Sequence, residues 1–131
     1  MDVDAVVAGF RARTLPKLEW THEAHLAVCW AALQALTVPE ALDDLRVAIR
    51  AYNDSVGTVN SETSGYHETI TRYYVGAIAH VGASGAEALL AHPLCGRTAA
   101  LDFWSKDRLM SVEARRERVE PDLRPLPFLL P

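Results

Sequence analysis

The sequence predicts an all-α fold: a single-domain helical bundle with an extended, proline-rich C-terminal tail. Three observations carry that expectation. Apolar residues recur at spacings of three and four through most of the chain. Capping residues and breakers fall at the ends of those stretches. No stretch alternates apolar and polar residues with the period of two that a half-buried strand needs. At 131 residues the chain has the length of one domain and can bury a core without staples.

The first helix is expected over Asp4 to Ala12, with Val6, Val7 and Phe10 on one side. Pro16 closes that region, because the residue before a proline is pushed away from helical angles. Thr21 is placed to cap a second helix running to about Leu36, with Leu26, Cys29, Trp30, Leu33 and Leu36 as its stripe. Pro39 sits near the first position of a third helix, where its missing N–H does no harm. That helix carries Leu42, Leu45, Ile49 and Tyr52 on one face. Asn53 to Ser64 is polar, and a polar segment of this length between two strong helices is often functional.

A fourth helix is expected from Ser64 or Gly65 to Val81, with Tyr66, Ile70, Tyr73 and Ala77 in line. Gly82-Ala83-Ser84-Gly85 breaks it, and a short helix to about Ala91 follows. Ser105 and Ser111 are each placed to cap a short helical piece. The end of the chain, P-D-L-R-P-L-P-F-L-L-P, holds too many prolines for a helix and predicts an extended segment lying on the domain.

Composition narrows the function. The formal net charge is −4, against nucleic-acid binding by bulk electrostatics. Acidic residues interleave with the basic ones between Arg108 and Arg118, as on a solvated helix. No apolar run is long enough for a membrane span. The start of the sequence lacks a signal-peptide pattern, so the cytoplasm is the expected location. The two cysteines, Cys29 and Cys95, are expected as free thiols, with Cys29 in the core. No nucleotide cofactor is indicated.

Chemistry concentrates at two helix starts. In T-H-E-A-H, His22 and His25 stand one turn apart, with side chains roughly 5–6 Å from one another at their bases. Two such imidazoles can converge on one metal ion. The spacing differs from H-E-x-x-H, so the zinc-protease mechanism does not transfer. In G-Y-H-E-T-I-T-R, His67 and Glu68 open the next long helix but one. In an up-down bundle those two helices run parallel and their starts lie at one end. His22, His25 and His67 then form a candidate three-histidine site with an open position, the mark of a catalytic metal. Glu68 is the candidate acid or base, with Tyr66 beside it. Asn53, Arg72 and Arg108 are candidate substrate contacts, although Arg72 is also one turn from Glu68 and placed to pair with it. His80 lies at the far end of its helix and His92 in a loop.

Several pieces of the chain resemble a family of short bacterial all-helical proteins. They are F-R-A-R-T-L-P-K-L-E-W-T-H-E-A-H-L-A-V, S-G-Y-H-E-T-I-T-R, W-S-K-D-R-L-M-S-V-E-A-R and V-E-P-D-L-R-P-L-P, spanning nearly the whole chain. The resemblance rests most on T-H-x-x-H-L and G-Y-H-E-T-x-T-R. It implies Thr21, His22, His25, Tyr66, His67 and Glu68 as the residues to test, and it supplies no substrate or reaction.

The expected function is a small metal-dependent enzyme acting on a small molecule, with zinc, iron, copper or nickel as the divalent ion. Two rivals are a metal-free lyase or isomerase using histidine and glutamate, and a non-catalytic module binding a ligand or partner.

Overall fold

The computed structural model describes all 131 residues. Seven α-helices are joined by loops and three 3-10 turns, with no strand. They are α1 (Val3–Ala12), α2 (His22–Ala35), α3 (Val38–Ser55), α4 (Glu68–Val81), α5 (Ala86–Leu90), α6 (Lys106–Leu109) and α7 (Val112–Arg116). No helix is long and apolar enough to cross a membrane.

Local chemistry sets most boundaries. Thr21 caps α2 by accepting the Ala24 N–H at 3.2 Å. Thr37 and Glu40 form a reciprocal capping box on α3, with Pro39 in the first turn. Ser105 and Ser111 cap α6 and α7 as expected. Gly82, in the left-handed region at φ 63°, ends α4.

Two expectations need correction. The α2 stripe is not a stripe: Ala24, Leu26, Ala27, Val28, Cys29 and Ala32 are buried, while Trp30 and Leu33 are only half-buried. The reason is position, since α1, α3, α4 and α5 all pack on α2 and leave it no broad solvent face. Helix α4 also starts later than Ser64. His67 is the residue before its first turn, because the preceding loop is fastened from inside by Asn60. The Asn60 side chain accepts from the Tyr66 N–H and the Asn53 amide, each at 3.0 Å, and donates to Arg50 O and Asp54 Oδ1. Gly65 allows that closure, with φ 77° and room for no Cβ: one would fall 2.6 Å from Asn60 Oδ1.

The tail is extended and packs on the domain, as its prolines require. Thr69 ties it down at one end, donating to Glu117 O at 2.8 Å and accepting from the Val119 N–H. The buried Trp104 indole donates to Val119 O at 3.0 Å. Phe128 then lies on α4 at Gly76, where a Cβ would sit 2.6 Å from its ring. Its face-neighbours are Tyr73 and His80. The apolar end of the tail therefore closes the chain's own core.

Candidate functional site

The starts of α2 and α4 do lie at one end of the bundle. Two adjoining cavities, of about 480 and 470 Å³, open there. Both are walled by Trp20, His25, Ile49, Ile70 and Thr71, so they form the two arms of one cleft. His22, Tyr74 and Arg97 line the first arm. Asn53, His67, Lys17 and Arg115 line the second.

His25 stands on the shared wall, and its ring is held from two sides. Nδ1–H donates to Thr21 O at 2.7 Å. The Trp20 ring lies against the imidazole, with centroids 3.6 Å apart. Trp20 is the residue before the cap and His25 the fourth helical residue, the two positions that meet in a hydrophobic staple. Trp20 in turn stacks on Phe10 at 4.7 Å and leans on Tyr52, whose hydroxyl donates to Leu15 O. Burial pushes the His25 imidazole down to about 4, against the bond to Thr21, which favours the charged form. At neutral pH the ring is uncharged, its proton is on Nδ1, and the Nε2 lone pair has no protein partner.

His22 is arranged in the opposite sense. Its Nε2–H donates to Cys95 O at 2.8 Å, and Nδ1 has no protein partner. Tyr74 meets the ring edge-on, with its own hydroxyl donating to Gly96 O at 2.6 Å.

His67 is spent on structure. Nδ1 accepts the Ile70 N–H at 3.1 Å, capping α4, and Nε2–H donates to Leu109 O at 2.6 Å. The two bonds fix the neutral tautomer, and burial lowers the pKa in the same direction. With both nitrogens engaged, the ring offers no lone pair to an ion. The expected set of His22, His25 and His67 is therefore not assembled as metal ligands, and no group of three histidine, cysteine, aspartate or glutamate side chains gathers for a metal anywhere in the fold. His22 and His25 each keep one free nitrogen.

Glu68, expected as the acid or base, is a buried anchor. Arg46 of α3 grips it with two bonds, 2.9 Å to Oε1 and 2.8 Å to Oε2. Arg72 donates to Oε2 at 2.6 Å and the Tyr66 hydroxyl to Oε1 at 2.9 Å. Burial alone would raise this carboxyl; the bonds from Arg46, Arg72 and Tyr66 outweigh it and hold it down to about 2. A carboxylate so stabilised is a poor proton acceptor at neutral pH. Tyr66 has its hydroxyl on Glu68, and burial raises its pKa further.

The expected substrate contacts divide. Asn53 lines the second arm while donating to Asn60. Arg72 joins Glu68 to the tail, its second nitrogen donating to Pro131 O at 2.8 Å. Arg108 donates to Glu120 O at 2.7 Å and also fastens the tail. Neither arginine lines the cleft. Cys29 borders the first arm as an inert thiol, pushed up to about 12 by burial. His80 is exposed in the last turn of α4, and His92 caps a 3-10 turn.

Sequence reasoning missed Trp20, Lys17, Thr71, Tyr74, Arg97 and Arg115. Trp20 had a signal, the staple spacing just described. The others come from four separate segments and have none. The chain matches no protein-family model, no curated protein and no solved structure.

Proposed function

We propose that this chain is a small-molecule enzyme in which His25 exchanges a proton with a substrate held in the cleft, without a metal. One observation carries the reading: His25 lines both arms of the cleft and keeps an unpartnered Nε2, on a ring whose tautomer is fixed by Thr21 and whose plane is fixed by Trp20. Glu68 and Tyr66 take no part in the proton transfer. They hold α4 against α3, which sets the second wall of the cleft. A neutral imidazole can accept a proton at any pH above its own pKa, and a negative group arriving beside it raises that pKa toward neutral, where transfer is most effective.

The experiment follows a mixture of small metabolites by NMR with purified protein in the presence and absence of a chelator. The expected result is depletion of one component by the wild type, undiminished by chelator and abolished in His25→Gln. Equal depletion by wild type and His25→Gln overturns the reading.

A second reading has its own support. Metal-ligating histidines usually donate their other N–H to a carbonyl or carboxylate. His22 and His25 each do so, to Cys95 O and Thr21 O, and both border the first arm. Calorimetric titration with Zn²⁺ or Co²⁺ tests it. Saturable binding of one ion per chain, lost in both His22→Ala and His25→Ala, would favour this two-histidine site, and chelator-sensitive turnover would extend it to the reaction.

A further inference from the structure

The charge of the cleft is one-sided. Lys17, Arg97 and Arg115 line it, and no aspartate or glutamate does. This is the reverse of the whole chain, which has 17 acidic residues to 13 basic ones. Six of the nine arginines elsewhere lie within 4.0 Å of a carboxylate: Arg11, Arg46, Arg72, Arg116, Arg118 and Arg124. Of the other three, Arg50 lies over the Tyr66 ring, Arg108 donates to Glu120 O, and Arg13 is exposed. None of the three cleft cations lies within that distance of a carboxylate.

Arg115 makes the contrast sharpest. It is half-buried, with one nitrogen on Gly65 O at 2.9 Å and no carboxylate within 4.0 Å; Asp54 and Glu62 border it on the side away from the cleft, where Glu62 pairs with Arg116. Burial lowers its pKa, and no counter-charge acts to restore it. A cation withdrawn from water without a counter-ion is destabilising unless something else supplies the charge. Glu23, at the start of α2, senses Arg97 through space but forms no ion pair with it.

The cations are also separated. Arg97 is at one arm, beside His22 and Tyr74, while Lys17 and Arg115 are at the other, beside Asn53 and Thr58. Between them the wall is Trp20, Ile49 and Ile70, with His25 and Thr71 as its polar members; the Thr71 hydroxyl donates to His67 O, which leaves His25 Nε2 without a partner. Each arm has room for several non-hydrogen atoms.

We propose that the cleft binds a small organic dianion, with one acid group at Arg97, the other at Arg115 and Lys17, and a short apolar middle over Trp20 and Ile70. The substrate class of the enzyme is then a dicarboxylic acid or an acid with a carboxylate at one end and a phosphate at the other. This rests on the reading of the cleft as the working site and adds the ligand to it. The same anion, once bound, is the negative group that brings His25 into its working range.

The probes are glutarate, with two acid groups, butyrate, with one, and inorganic phosphate. Each is titrated into nitrogen-15-labelled protein while the Trp20 indole and His25 ring signals are followed. Glutarate is expected to shift both signals along one saturable curve. Removing a charged hydrogen-bonding partner should weaken it about tenfold or more, so Arg97→Gln and Arg115→Gln should each do so, and butyrate should be weaker than glutarate by a similar factor. Arg124→Gln, which alters an exposed pair with Asp102 away from the cleft, should leave the curve unchanged. The side chain of Arg97 makes no hydrogen bond, so its variant reads binding free of folding effects.

Glutarate binding that is absent, that matches butyrate, or that is indifferent to Arg97→Gln overturns the proposal. Phosphate binding at one arm, with glutarate no tighter than butyrate, overturns the two-ended ligand in the same way. The titration needs no turnover. Failure of the proton-transfer reading would show as turnover that survives His25→Gln with glutarate binding intact, and the two failures are thus distinct.

Discussion

Replacing Glu68 with glutamine separates a structural carboxylate from a catalytic one. The side chain is almost fully buried and accepts four hydrogen bonds, two from Arg46 and one each from Arg72 and Tyr66. Its pKa is held at about 2 instead of the ordinary 4.5. A displacement of that size corresponds to about 3 kcal/mol of preference for the charged form in the folded state. The arginine side chains are still 28 and 25% exposed, so solvent screens part of the attraction. About 2 kcal/mol is the expected loss at neutral pH for Glu68→Gln, which keeps the shape and removes the charge.

The pH dependence carries the sharper test. The folded carboxylate holds fewer protons than the unfolded one, so its contribution is present above pH 4.5 and is lost as pH falls toward 2. Urea unfolding of wild type and Glu68→Gln, followed by circular dichroism at a series of pH values, should show a gap that is widest at neutral pH and narrows below 4.5. A gap that stays constant down to pH 3, or a Glu68 carbonyl that titrates by NMR above its ordinary value, would refute the anchor. The second result would return Glu68 to the role of proton acceptor.

His25 acts in a different window: its folded pKa of about 4 lies below the ordinary 6.5, so the neutral ring's contribution is present above 6.5 and is lost as pH falls toward 4. The slope of stability against pH in that interval should flatten in His25→Gln, read from urea midpoints. His67→Ala should lose about 1–3 kcal/mol through the missing cap and the orphaned Leu109 carbonyl, while His67→Asn keeps the cap and recovers part of it. Thermal melts check this, and unchanged stability in His67→Ala would count against the capping role. Gly76→Ala places a methyl 2.6 Å from the Phe128 ring and should destabilise by about 1–3 kcal/mol, with faster proteolysis of the tail. Adding Phe128→Leu should restore much of that, and an unaffected Gly76→Ala variant would mean the tail does not press on α4.

Two stretches in this chain look alike on paper and do opposite things. T-H-E-A-H and Y-H-E-T both place a histidine and a glutamate where a helix begins. At the first, the glutamate stays near solvent and His25 faces a cleft. At the second, Arg46 arrives from α3, 22 residues earlier, and takes the glutamate, while Leu109, 42 residues later, takes the histidine. Spacing along one helix measures which residues share its face. It carries no information on what another helix brings to that face, and here that decides between a reactive group and a brace.

What the sequence determined by itself is therefore the local part. Thr21, Thr37, Ser105 and Ser111 fix helix starts because a side-chain oxygen three residues ahead satisfies an orphan N–H, an interaction that needs no tertiary partner. The prolines keep the tail extended for the same local reason. The Arg72–Glu68 pair, one helical turn apart, was legible as well. Tertiary structure alone decided which histidine keeps a free nitrogen, that Arg46 joins Arg72 on Glu68, and that Lys17, Arg97 and Arg115 share one cleft without an ion-paired carboxylate. Those outcomes depend on charges and carbonyls that are distant in sequence and adjacent only after packing, where the loss of solvent makes each pairing count for more than it would on an isolated helix.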